Sequence, residues 1–177
     1  MKRFLIGALV AGSLFATGAI AESAPNTLGK IKAAKVINVA FAGNALPFSF
    51  VGTNNEPAGY SIDLCKRVIA RIGQAVGQPN LKVNWLAGST PERLRMVATG
   101  KADLECGNTS QTLARLASVD FSGLIFIDAG GVMIRADSSF NSMADLDGKK
   151  IAVLKDTTTE ARLNAIVQKH LVNTRVV

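Results

Sequence analysis

Apolar and polar positions along this chain fall into short blocks whose period switches repeatedly between strand and helix. Val36-Ile37-Asn38-Val39-Ala40-Phe41 is nearly continuous in apolar residues, the pattern of a strand covered on both faces. A Gly43-Asn44 turn and the extended Leu46-Pro47-Phe48-Ser49-Phe50 follow, and Asn54-Asn55-Glu56-Pro57 supplies a further turn. From Ser61 to Val76, residues Ile62, Cys65, Val68, Ile69, Ile72 and Val76 recur three and four apart, which predicts an amphipathic helix stopped by Gly77 and Pro79. Leu81 to Trp85 alternates as a strand does. Ser89-Thr90-Pro91-Glu92 then offers a capping hydroxyl, a first-turn proline and a capping-box glutamate for a helix ending at Gly100. Ala102 to Cys106 reads as a short strand, Thr112 as the cap of a short helix through Leu116, and Leu124 to Ile127 as another apolar strand. Further on, Ile151 to Leu154 is a strand, Thr157-Thr158-Thr159-Glu160 a second capping box opening a helix to about Leu171, and Thr174 to Val177 a last strand. Strands alternating with helices imply βαβ units, a parallel sheet and an α/β fold.

The first residues carry different information. Lys2 and Arg3 precede an apolar run from Phe4 to Ile20, and Ala19-Ile20-Ala21 precedes Glu22, the layout of a secretory signal peptide spanning residues 1–21. Removing those 21 residues from the 177 leaves 156, enough for a core, and removing Lys2 and Arg3 takes the formal charge from +7 to +5. The remaining Lys and Arg residues are spread singly and not in blocks, so nucleic acid is not an expected partner, whereas an anionic or zwitterionic small ligand is favoured. One histidine, His170, and two distant cysteines give no metal-ligand spacing, and no glycine-rich phosphate loop follows a strand. No metal or other cofactor is therefore expected. Cys65 lies on the apolar face of its helix and Cys106 ends a strand; in an oxidising compartment a disulfide and a pair of small buried side chains stand as equal alternatives.

Two stretches carry a resemblance. Gly59-Tyr60-Ser61-Ile62-Asp63-Leu64-Cys65 and Cys106-Gly107-Asn108-Thr109-Ser110-Gln111-Thr112-Leu113-Ala114-Arg115 resemble the signature and the ligand loop of family 3 periplasmic solute-binding proteins, whose loop runs Ser/Thr-x-Thr-x-x-Arg. Phe48-Ser49-Phe50 after Pro47, Asp103-Leu104-Glu105-Cys106-Gly107, and the spacing from Arg115 to Asp120-Phe121-Ser122 resemble the glutamate/aspartate-binding branch. The resemblance implies a type II periplasmic-binding-protein-like fold: two α/β lobes, the first over residues 22–130 and the second beginning at 131, with a hinge at Gly130-Gly131. Glycines there also fit strand crowding. The second lobe is expected to be incomplete in this chain. The implied protein is periplasmic and monomeric, and passes a polar amino acid to an inner-membrane ABC permease.

The same resemblance assigns roles. Arg115 and Ser110 would hold the ligand α-carboxylate, a planar two-pronged donor beside a hydroxyl and loop amides. Asn108 would offer a carbonyl to the ammonium; Thr90 and Arg93 would engage the side chain; Phe48 would pack on the ligand; and Thr157, with the amides after it, would approach from the second lobe. Read without the resemblance, Arg115 is a surface ion-pair residue, Asn108 a turn residue, Thr90 a helix cap, Arg93 a solvated charge and Phe48 core filling. Two positions depart from the pattern: Ala42 stands where an arginine is expected, and Asp156, read here as a helix cap, stands where a glycine is common. The first departure weakens specificity for glutamate or aspartate and admits glutamine, asparagine or another polar amino acid. A dehydratase-like enzyme on the same fold is the alternative class, with Asp103 and Glu105 as its candidate acids. His170 stands too far along the chain to serve a serine nucleophile.

Overall fold

The computed structural model describes residues 26–177, so the segment read as a signal peptide lies outside the described residues. Among the described residues, no helix is long and apolar enough to cross a membrane. The order of elements is α1 (Thr27–Ala34), β1 (Val36–Phe41), β2 (Asn44–Ala45), β3 (Ser49–Val51), β4 (Pro57–Ala58), α2 (Tyr60–Ala75), β5 (Lys82–Ala87), α3 (Thr90–Ala98), β6 (Leu104–Cys106), α4 (Leu113–Leu116), a 3-10 turn (Met143–Leu146), β7 (Lys150–Ile151), α5 (Thr158–Lys169) and β8 (Arg175–Val176).

The apolar strand of the sequence is the centre of the body. β1 is flanked by β5 on one side and β6 on the other, both parallel to it, with Val36 opposite Lys82 and Phe41 opposite both Ala87 and Cys106. A strand hydrogen-bonded on both edges and covered on both faces has no solvent side, which accounts for its lack of alternation. Ile37, Val39 and Ala40 are fully buried. Against them α2 lays Ile62, Cys65 and Ile69, positions spaced three and four apart on one stripe. Ile31 of α1 and Val76 close the same core, with Trp85, Val83 and Leu104 packed at its margin. α1 replaces the polar lead-in expected from the sequence: Asn26 accepts a hydrogen bond from the Gly29 amide, Lys35 ends the helix in the left-handed region at φ 55°, and Ile31 is its single buried residue. One buried side chain in eight residues leaves little periodicity to read.

Cys65 and Cys106 form a disulfide, with their Cα atoms 6.1 Å apart. It ties α2 to β6, the strand that leads directly into the candidate ligand loop. Closing a chain segment with a sequence separation of 41 removes unfolded-state entropy corresponding to about 4 kcal/mol.

A small antiparallel sheet, β2-β3-β4, follows β1. Ser49 is completely buried there, yet its hydroxyl donates to the Ala42 carbonyl at 2.8 Å and accepts from the Ala42 amide at 3.1 Å, so no polar group is stranded. The chain then enters α2 through Gly59 at φ 118°. A Cβ at this position would stand 2.5 Å from the Phe48 carbonyl oxygen and 2.7 Å from that of Pro47. Both the dihedral and the close backbone approach therefore require glycine.

Three expectations need correction. Leu124 to Ile127 form no strand; from Ala117 to Ser142 the chain carries neither helix nor strand, and Ile127 and Met133 are 82% and 98% exposed. The segment joins no ladder, and the Ile125 carbonyl accepts from the Tyr60 hydroxyl at 2.7 Å. Gly130 and Gly131 are not crowded, since a Cβ on either would meet nothing within 4 Å. The strand expected from Ile151 to Leu154 is confined to Lys150–Ile151, paired parallel to β8 across α5 in a βαβ arrangement. Leu146 and Leu163 are the buried residues of this smaller unit.

Gly59→Ala is expected to lower unfolding stability by at least about 2 kcal/mol, from left-handed strain and backbone collision together, read by urea denaturation. The double variant Cys65→Ala/Cys106→Ala should lose about 4 kcal/mol in the same assay under oxidising conditions, with the wild type falling to match it when reductant is added.

Candidate functional site

The C-terminal end of β6, the first turn of α3 and the loop from Gly107 to Gln111 meet at one end of the parallel sheet. Each is fixed locally. Ser89 caps α3 with a complete capping box: its amide and hydroxyl both donate to a Glu92 carboxylate oxygen, at 2.8 and 2.7 Å. These bonds, the hydroxyl's first, hold the Glu92 carboxyl below the usual carboxylate range. Thr90 is therefore the first helical residue and not the cap. Three residues on, Arg93 points inward.

Arg93 is 3% exposed, so the solvated reading of that residue is overturned. Its Nε donates to Glu105 Oε1 at 2.7 Å, one terminal nitrogen donates to the Gly88 carbonyl at 2.7 Å, and the other donates to Thr109 Oγ1 at 3.1 Å and more weakly to Thr90 Oγ1 at 3.4 Å. Thr109 in turn donates to the same Glu105 oxygen at 3.0 Å. Gly107 lies directly over this pair: a Cβ there would stand 2.6 Å from Glu105 Oε1 and 3.4 Å from an Arg93 nitrogen.

Arg115 sits where the loop turns into α4. Thr112 caps that helix, its hydroxyl accepting from the Arg115 amide at 3.2 Å, and the guanidinium reaches back to donate to the Ser110 carbonyl at 2.7 Å. Burial of the guanidinium holds it below the usual arginine value, with Glu105 opposing that shift and Arg93 adding to it; it stays a cation at neutral pH. Arg93, Glu105 and Arg115 thus act on one another as a single cluster with one positive charge in excess. Asn108 is exposed in the same loop.

Across from the loop stands the N-terminus of α5. Thr157 is its cap, accepting from the Glu160 amide at 3.2 Å and donating to the Leu154 carbonyl at 2.6 Å, which leaves that hydroxyl committed to the helix. Thr158 makes the contact with the loop instead: its hydroxyl is 3.2 Å from that of Ser110. Asp156 is not the cap. It adopts the left-handed region at φ 59°, with its amide donating to Glu160 at 2.7 Å, a conformation in which glycine is the unstrained residue. Phe48 packs by ring edges on Phe126 and Tyr60, at centroid distances of 4.9 and 6.1 Å.

The structure therefore gathers Thr90, Arg93, Ser110 and Arg115 around one charged cluster and brings α5 to its rim, while Phe48 belongs to an aromatic cluster with Tyr60. Sequence reasoning did not single out Thr109, took Thr158 for its amide and not its hydroxyl, and weighed Glu105 only as a packing residue or an acid. A glutamate in the middle of a three-residue strand is itself a signal, because a carboxylate at that depth requires a cation.

The family model for bacterial extracellular solute-binding proteins, family 3, matches residues 37–173. The chain belongs to that family. It is 30% identical over 163 residues to the L-glutamate/L-aspartate-binding protein of Pseudomonas aeruginosa, covering 92% of this chain and 54% of that protein. With the glutamate/aspartate import solute-binding protein of Escherichia coli it is 28% identical over 157 residues, 89% of this chain and 52% of the other. The chain spans about half the length of the curated relatives it matches. Among solved structures, a periplasmic binding protein of an ABC transporter from Brucella ovis with glutathione bound superimposes with a TM-score of 0.74 at 28% identity, over 85% of this chain and 47% of that one. The fold is accordingly the type II periplasmic-binding-protein fold, of which this chain covers part.

If Gly107 is glycine because the ion pair occupies the space of a Cβ, Gly107→Ala should cost about 1–3 kcal/mol, and much less in a Glu105→Ala background, where the obstructing oxygen is gone. Urea unfolding of the two single variants and the double variant checks this; strictly additive losses would exclude the contact.

Proposed function

We propose that this protein is the substrate-binding component of an ATP-driven importer for polar amino acids, working in the periplasm and handing its ligand to an inner-membrane permease. The observation that carries the reading is Arg115, tied to the Ser110 carbonyl at 2.7 Å beside an internally paired Arg93 and Glu105, in a loop that touches the first turn of α5. A free α-carboxylate is a planar anion that a guanidinium recognises with two parallel hydrogen bonds. Ser110 and the amides of its loop add donors at the same place, and the hydroxyls of Ser110 and Thr158, now on each other, are within reach of a ligand lying between loop and helix. Asn108, exposed on the loop, offers its carbonyl to an ammonium.

Residues up to 130 would form one lobe and those from 131 the beginning of a second, turning about Gly130-Gly131, where free space around both Cα atoms leaves the backbone unhindered. The names of the relatives, amino-acid-binding proteins in Pseudomonas aeruginosa and Escherichia coli, support the ligand class. A receptor that returns its ligand unchanged also suits the acids weighed for catalysis. Asp103 is held by Lys30 at 2.9 Å and by the Asn38 amide at 2.8 Å, and Glu105 by Arg93 and Thr109, so both carboxylates are occupied by structural partners.

Calorimetric titration with glutamate, aspartate, glutamine and asparagine is expected to show saturable binding without turnover of the ligand. Arg115→Ala should weaken it by about 2–5 kcal/mol, roughly 30-fold or more. Unchanged affinity in a folded Arg115→Ala variant would remove Arg115 from the site, and chemical conversion of the ligand would favour the enzyme.

A further inference from the structure

Two groups fasten the end of β6, and they do so on opposite faces of the sheet. Successive side chains of a strand point to opposite sides, so Glu105 reaches Arg93 on α3 while Cys106, the next residue, is bonded to Cys65 on α2. β1 adds three ladder pairs, from Val39 opposite Leu104 to Phe41 opposite Cys106. Past Cys106, among the described residues, no backbone–backbone hydrogen bond holds residues 107–111. The loop stands instead on side chains: Thr109 on Arg93 and Glu105, the Ser110 carbonyl on Arg115, and the Ser110 hydroxyl on Thr158. Its covalent footing on the α2 side is the disulfide. Cys65 is 4% exposed in the core beside Ile37, Val39 and Ile69, whereas Cys106 is half-buried, so the Cys106 end of the bond is the one nearer to solvent.

We propose, resting on the receptor reading above, that the Cys65–Cys106 disulfide is a redox switch on ligand binding. Closed, it holds the loop from Gly107 to Arg115 in the geometry that receives the ligand; opened by a dithiol, it releases that loop and lowers affinity while β1 and α2 stay folded. The exchange balances in two steps. A thiolate of the dithiol attacks the Cys106 sulfur, the Cys65 thiolate leaves and takes a proton, and a mixed disulfide remains on Cys106. The second thiol of the reductant then displaces Cys106, whose thiolate takes the other proton, so the protein gains two electrons and two protons and the dithiol becomes a disulfide. The core tolerates the product, since Cys65 as a thiol is still a small apolar side chain among apolar neighbours. The end of β6 does not: it keeps its three ladder pairs and the Glu105 contact on the α3 side, and loses its tie on the other face. Local opening of the segment beyond Cys106 is then the lowest-lying motion of this end of the sheet, and the segment that opens carries Ser110 and Arg115.

The test is calorimetric titration of the full chain with L-glutamine, L-asparagine, L-glutamate and L-aspartate, oxidised and then reduced with dithiothreitol, with circular dichroism reporting the folded fraction of each sample. Whichever ligand the oxidised chain binds is expected to bind the reduced chain about tenfold or more weaker, with the native spectrum kept and the affinity restored on reoxidation. Partial unfolding does not mimic this result, because a chain that is still about nine-tenths folded loses only about a tenth of its apparent affinity. A second readout needs no ligand: the ratio of tryptic cleavage after Arg115, in the loop, to cleavage after Arg71, in α2, should rise by about tenfold or more on reduction. The variant Cys65→Ser/Cys106→Ser, where it folds, should match the reduced chain in both readouts and ignore dithiothreitol. Reduced, folded chain that binds as tightly as oxidised chain overturns the switch and leaves the receptor reading standing. Affinity that falls only in step with the native spectrum, with an unmoved cleavage ratio, also overturns it and makes the disulfide a staple of the whole fold. If none of the four ligands binds to oxidised, folded chain, the receptor reading fails, and the switch falls with it.

Discussion

A charged guanidinium cannot sit 97% out of water without partners, and keeping Arg93 satisfied is the constraint on which this end of the parallel sheet depends. An unpaired cation at that depth costs several kcal/mol, so its surroundings are built as a set of acceptors. Glu105 supplies the charge, the Gly88 carbonyl and Thr109 supply the remaining strong bonds, and Gly107 leaves the room. Those groups belong to β6, to the turn before α3 and to the loop that follows β6. A single buried ion pair thus holds three segments in register, and the loop bearing Ser110 and Arg115 starts from a fixed point.

Rigidity at that point has a second source. β6 is only three residues long, too short to hold its position by three ladder pairs with β1 alone. The disulfide supplies what the ladder lacks, pinning the last residue of β6 to the most buried stripe of α2. The body of the protein therefore ends in a loop clamped from beneath by sulfur and from the side by an ion pair. Binding groups held this way lose little freedom on meeting a ligand, which is how a few polar contacts yield useful affinity.

How much of this was legible in the sequence follows from how local each signal is. β1 and α2 were readable nearly to the residue, because a strand buried on both faces and a helix with one apolar stripe write their environment into their own pattern. Capping was legible for the same reason at Thr112 and Thr157, and it failed at Thr90 and Asp156, where the neighbouring hydroxyl took the cap. The disulfide was undecidable from sequence, since it depends on a Cα separation that only the packing of α2 on the sheet sets. Leu124 to Ile127 misled for a related reason: an apolar run records the wish to be covered, whereas a strand also requires an edge to pair with. In the candidate site, the motif pointed to Arg115 and Ser110, but whether an arginine faces open space or a glutamate is a matter of three-dimensional neighbours. Arg93 and Glu105 are twelve residues apart, on a helix and a strand, and nothing in either local pattern names the other.

The same division between local and distant forces bears on how the loop and α5 could respond to a ligand. Among the described residues, the hydrogen-bond contact between them is the hydroxyl pair of Ser110 and Thr158 at 3.2 Å. A neutral hydrogen bond that either partner could exchange for water is worth only about 1 kcal/mol, too little to hold two packed units in one relation. An anion placed between Arg115 and the first turn of a twelve-residue helix would draw on the guanidinium charge and on the helix dipole together. The association of loop and helix then becomes a property of the occupied site, because the ligand interacts with both while they interact only weakly with each other.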